Sequence, residues 1–129
     1  AVYRLPEQTV ERSRFMPCIQ TTVNIPLEKN QQQLLREKLG KAIAIIPGKS
    51  EQWLMLTFHT DCTMFFRGKS DEPMAFVEVK IFGKATDRSY DQLTKEICKI
   101  YQEVLGISPD HVYIKYEECS HWGWNGANF

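Results

Sequence analysis

The chain lacks any apolar run approaching the roughly 18 residues of a membrane-spanning helix. Its opening stretch, AVYRLPEQTVERSRF, also lacks the apolar core of a signal peptide and any sustained apolar period. Neither sign of charge is in excess: 16 basic and 16 acidic residues cancel and are interspersed. That removes the basic field which nucleic acid or an anionic membrane surface would select, so neither partner is expected. Cysteine is sparse and scattered. Cys18, Cys62, Cys98 and Cys119 form no CxxC pair, which argues against a zinc site or a compact disulfide framework and leaves reduced, mostly buried thiols as the expectation. His59, His111 and His121 are not at metal-ligand spacing with one another, and His59 and His111 read as polar decoration or singly hydrogen-bonded groups. There is no defensible Ser-His-Asp order or glycine-rich phosphate loop, and no cofactor or metal is implied.

What is present is one domain's worth of chain with a repeat inside it. The 129 residues, 43% of them apolar, suffice for a single core. Residues 1–15, with Arg4, Glu7, Glu11, Arg12 and Arg14, suit a solvated extension, and the domain is expected to span residues 16–129. From Pro17 the pattern turns to alternation, Ile19, Thr21, Val23 and Ile25 against Gln20, Thr22 and Asn24, as a half-buried strand requires. Leu35, Leu39, Ala42 and Ile46 then step by four, three and four, the stripe of an amphipathic helix, which Pro47 and Gly48 stop. LMLTFHT alternates again as a second strand, and FFRGKSDEP is a turn-rich close.

Adding 58 to each position repeats the series: Pro17 falls on Ala75 in AFVEVKIFG, the stripe falls on Leu93, Ile97, Ile100 and Val104, and LMLTFHT falls on VYIKYEE. The predicted fold is therefore α/β in the sense of an α+β sandwich: β-α-β-β-α-β with a pseudo-twofold repeat. Right-handed crossovers place both helices on one face of a four-stranded sheet. The other face is left uncovered. If it carries Thr, Val, Phe and Tyr, it is expected to be an oligomer surface.

Two further segments bear on chemistry. A Met-Pro pair opens the first strand, and the chain ends ECSHWGWNGANF, with Trp122, Trp124 and Phe129 close to two glycines. Such aromatics either anchor the terminus or wall a pocket of low dielectric beside a titratable group. Taken together, MPCIQTTVNIP, PGKSEQW, ISPDHVYIKY and HWGWNGANF resemble the macrophage migration inhibitory factor family, within the tautomerases that use an amino-terminal proline. The resemblance covers Met16 to Phe129.

That resemblance implies a homotrimer whose sheets enclose a central channel and a cofactor-independent keto-enol tautomerase acting on phenylpyruvate-like and dopachrome-like compounds. By it, Met16 corresponds to the initiator and Pro17 to the mature terminus. A terminal proline is a secondary amine able to take a proton from a carbon next to a carbonyl, which an internal prolyl amide is not. Lys49 stands where the family places the lysine that pairs with the substrate carboxylate. Tyr113 stands where it places a tyrosine contributed by the adjacent subunit, and Phe82 where an isoleucine main chain helps to hold substrate. Trp53 replaces a tyrosine at the rim, and Lys115 replaces a common asparagine, implying a second cation and a more strongly anionic substrate. With Trp122, Trp124 and Phe129 these residues make up the expected site.

The resemblance also carries a cytokine-like role, with a cell-surface receptor as partner and a location in the cytoplasm or outside the cell by a route without a signal peptide. The alternative to the enzyme is thus a non-catalytic receptor-binding trimer. Met74 and Val77 occupy the positions of the family's CxxC pair, so a thiol oxidoreductase activity is not supported. Hydratase and decarboxylase relatives that use the same proline need extra polar or arginine groups to activate water near the amine, and no arginine stands in the first strand to provide one.

Overall fold

A computed structural model describes residues 16–128. The proposed extension, residues 1–15, and Phe129 lie outside the described residues. Four strands, β1 (Pro17–Val23), β2 (Met55–His59), β3 (Ala75–Phe82) and β4 (Val112–Cys119), form one sheet in the order β2-β1-β3-β4. Helix α1 (Lys29–Ala42) connects β1 to β2, and α2 (Asp87–Leu105) connects β3 to β4. Within each βαβ unit the strands are parallel, and the two units join through the antiparallel β1–β3 pair. This is the β-α-β-β-α-β arrangement that the 58-residue offset predicts.

Alternation explains which face each strand buries. Ile19 and Val23 of β1, with Val77, Val79 and Ile81 of β3, pack against Leu35 and Leu39 of α1 and Leu93, Ile97 and Ile100 of α2 in a single core. Both helices therefore lie on one side of the sheet. Helix α2 begins with Thr86 accepting from the Ser89 N–H at 3.1 Å, and ends at Gly106, whose φ of 68° suits a residue without Cβ. Helix α1 ends earlier than Pro47: after Ala42 the chain tightens into a 3-10 turn over Ile43–Ile45. Inside the core the Tyr101 and Thr21 hydroxyls, both fully buried, bond each other. Tyr101→Phe leaves the Thr21 hydroxyl without that partner, and the expected loss of stability is about 1–3 kcal/mol, measurable by urea unfolding. No change in the midpoint would mean that the bond contributes nothing net.

The open face differs in composition from the expectation. The valines of β1 and β3 point into the core, and the uncovered surface carries Cys18, Gln20 and Thr22, then Phe76, Glu78 and Lys80, then Tyr113, Lys115 and Glu117. It is mixed and charged. The cysteines are free, as expected, but all four are partly exposed rather than buried, because Cys18 and Cys119 lie on this open face and Cys62 in a loop. His111 also departs from a single bond: its Nε2 meets Glu72 and its Nδ1 meets Asp110, each at 2.8 Å. Among the described residues no helix is long and apolar enough to cross a membrane, and no group of His, Cys, Asp and Glu could hold a metal ion.

Candidate active site

Proline fits the first position of a strand because its missing N–H costs no ladder bond there. Pro17 occupies that position in β1, is buried, and stands opposite Ile81 of β3. The carbonyl of Met16 just before it accepts from the Phe82 N–H at 3.2 Å, and Met16 itself is only 4% exposed. In this chain the Pro17 nitrogen is a tertiary amide.

A cleft of about 590 Å³ opens beside Pro17, between the start of β1, the segment leading into β2, and the C-terminal tail. Two local structures form its walls. A short 3-10 turn, Glu51–Trp53, brings Trp53 to the rim just before β2. Strands β5 (Gly123–Trp124) and β6 (Ala127–Asn128) form a hairpin on Asn125-Gly126, whose φ values of 52° and 82° are those of the turn that matches strand twist. The hairpin sets Trp124 edge-on to Trp53, centroids 5.3 Å apart at 87°, and Trp122 lines the same cleft. This hairpin was not foreseen, although Asn-Gly is the strongest short-range signal for one.

Lys49 follows the first helical segment and is 7% exposed. Its Nζ donates to the Phe82 carbonyl at 2.9 Å, so Phe82 uses its N–H toward Met16 and its C=O toward Lys49. Burial lowers the Lys49 pKa from the ordinary lysine value to about 8. Cys18, next to Pro17, has its thiol pushed up by burial, against the opposing pull of the Lys80 ammonium. Lys80 lines the cleft and was passed over in the sequence.

Pro17, Trp53, Trp122 and Trp124 thus meet at one cleft, and Lys49 and Phe82 meet each other on the strand beside it. Tyr113 and Lys115 do not join them within one chain. Tyr113 pairs with Phe76, five residues before Ile81 on β3, roughly 17 Å along the strand at about 3.3 Å per residue. It is 64% exposed and rests edge-on against Phe66. Lys115 stands opposite Glu78 and is held by Glu117 at 3.0 Å. Phe129 lies outside the described residues.

Two parallel βαβ units sharing a mixed sheet, with a proline at the first position of the first strand and indole rings around it, define the class: a pseudo-symmetric α/β protein with an aromatic-walled cleft at one sheet end. The chain belongs to the macrophage migration inhibitory factor (MIF) family, whose model matches residues 16–129. It is 34% identical over 119 residues to the macrophage migration inhibitory factor of Meriones unguiculatus, covering 88% of this chain and 99% of that one, with the same figures for the Rattus norvegicus protein. Among solved structures, Leishmania major MIF2 superposes with a TM-score of 0.82 at 30% identity over 89% of this chain and 98% of that one. The homologue from Prochlorococcus marinus superposes at 0.74 and 28%, over 87% and 98%.

Proposed function

We propose that the protein is a cofactor-independent keto-enol tautomerase of small aromatic 2-keto acids such as phenylpyruvate, acting when Pro17 is a free amino terminus. The observation that carries this reading is the burial of Pro17 at the mouth of an indole-walled cleft. A terminal amine in water titrates at about 7.7–8.0, and removing water disfavours its ammonium form, leaving a neutral base near working pH. In ketonisation that amine takes the enol hydroxyl proton, and the ammonium so formed returns a proton to the adjacent carbon. No group beyond the amine is needed to balance the step.

Lys49 pairs with the carboxylate next to the carbonyl, oriented by the Phe82 carbonyl. The Phe82 N–H, engaged here by the Met16 carbonyl, is the donor that a substrate oxygen would meet in its stead. Trp53, Trp122, Trp124 and Phe129 exclude water, and Tyr113 and Lys115 come from the neighbouring subunit of a homotrimer. The domain proper runs from Met16, residues 1–15 are an extension, and removal of that extension together with Met16 exposes the amine. A cytokine-like receptor-binding role is a second reading, favoured by the relatives' name. Saturable binding to receptor-bearing cells by protein lacking turnover would establish it apart from catalysis.

The test is phenylpyruvate ketonisation by protein beginning at Pro17, followed in the ultraviolet. No rate above background, with the fold intact by circular dichroism, would sink the enzyme reading. The pH profile carries a sharper prediction. Only the ammonium form of Lys49 attracts a carboxylate, and it is lost as pH rises through about 8, so KM should climb above that pH. Lys49→Arg, charged throughout, should flatten the climb. A KM for the unaltered residue that does not move between pH 7 and 9.5 would remove Lys49 from carboxylate binding.

A further inference from the structure

Lys80 is a cation for which the site as described above has no use. It lies on the open face of β3, opposite Cys18 and one register step from the Pro17–Ile81 pair, and it lines the cleft with Pro17, Trp122 and Trp124. Phe82, whose carbonyl holds the Lys49 ammonium, is two residues further along, about 6.6 Å by strand rise. Two ammonium groups therefore flank the Pro17 end of β1, one held at the Phe82 carbonyl and one on the open face.

The acidic groups facing Lys80 are Glu78, two residues back on the same face, and Glu117, its register partner on β4. Glu117 is taken by Lys115 at 3.0 Å, and among the described residues Lys80 forms no salt bridge of its own. A neutral aryl tail entering the cleft would strip water from this ammonium and return at most a cation–π contact. An anionic tail would meet it with a charge-assisted hydrogen bond.

We propose that Lys80 binds substrate and selects a 2-keto acid with a second anionic group at its far end, Lys49 taking the carboxylate beside the carbonyl and Lys80 the other. A cation that biases the cleft toward a more anionic substrate is then supplied by Lys80 of the same chain. This inference rests on the tautomerase reading of the cleft, and its test is arranged so that the two fail separately.

Protein beginning at Pro17 is assayed on the enols of phenylpyruvate and of 4-carboxyphenylpyruvate. The diacid should be preferred by about ten-fold in kcat/KM, and Lys80→Gln should cost the diacid about ten-fold more than the monoacid, with Lys80→Arg restoring the preference. Equal losses on both substrates, or no preference to begin with, would overturn the proposal. If neither enol turns over, the enzyme reading fails, and the assignment of Lys80 is decided by tryptophan fluorescence titration. Tighter binding of 4-carboxyphenylpropionate than of phenylpropionate, abolished by Lys80→Gln, supports it; equal binding refutes it.

Discussion

Protein beginning at Pro17 is expected to ketonise phenylpyruvate about a thousand-fold faster than the full chain of 129 residues, in the middle of the range that a positioned base contributes. The difference comes from one nitrogen. With Met16 attached, its lone pair is delocalised into a carbonyl and cannot accept a proton at neutral pH. The Met16 residue is also buried at the mouth of the cleft, with its carbonyl held by Phe82, so the same segment that acylates the amine blocks access to it. Losing Met16 removes little from the core, since β1 keeps its register with both β2 and β3 from Cys18 onward. The two proteins should therefore share a far-ultraviolet spectrum and differ in rate. Mass spectrometry of the full chain during assay guards against activity arising from cleavage ahead of Pro17. Equal rates from verified intact and shortened chains would show that the amine is not the base.

How much of this was legible in the sequence follows from the range of each signal. The strand faces and helix stripes are set by periods of two and 3.6, which need only local reading, and the repeat at an offset of 58 made the topology follow from two copies of one unit. Leu35, Leu39, Leu93 and Ile97 stand on the helix stripes that the periodicity marks, and all four are buried in the core. The cleft was legible only where a residue type announced itself, as Pro17 and the tryptophans did. Lys80 did not. Alternation places it on the open face, but its proximity to Pro17 depends on the antiparallel register of β1 with β3, which no local pattern encodes. The burial of Lys49 was hidden for the same reason, because it follows from the approach of Phe82 across 33 positions of sequence. The valines misassigned to the uncovered face show the converse: composition of a strand names its residues, and only phase says which side each one takes.

The distance between Tyr113 and its own chain's cleft leads to the second large effect. A tyrosine side chain reaches far less than the roughly 17 Å of strand that separates its register position from Ile81, so Tyr113 can serve only the cleft of another copy. In a closed ring every cleft would then combine Pro17 of one subunit with Tyr113 of the next. Pro17→Gly, in protein beginning at that position, should lower turnover by about a hundred-fold or more, since the primary amine of glycine is a weaker base with less fixed geometry. Tyr113→Ala should lower it about ten-fold by opening the cleft to water.

Neither variant alone has an intact cleft. Refolded together in equal amounts, they should recover about one quarter of the unaltered rate, the fraction of random subunit pairings in which a Tyr113→Ala chain supplies Pro17 and a Pro17→Gly chain supplies Tyr113. Mixing the separately folded variants without unfolding them should give only the average of the two separate rates. The same average after co-refolding would mean that each chain completes its own site, and the rotational assembly proposed for this protein would have to be abandoned with it. Recovery toward a quarter would establish in one measurement that the sites lie between subunits and that Pro17 and Tyr113 act in the same one.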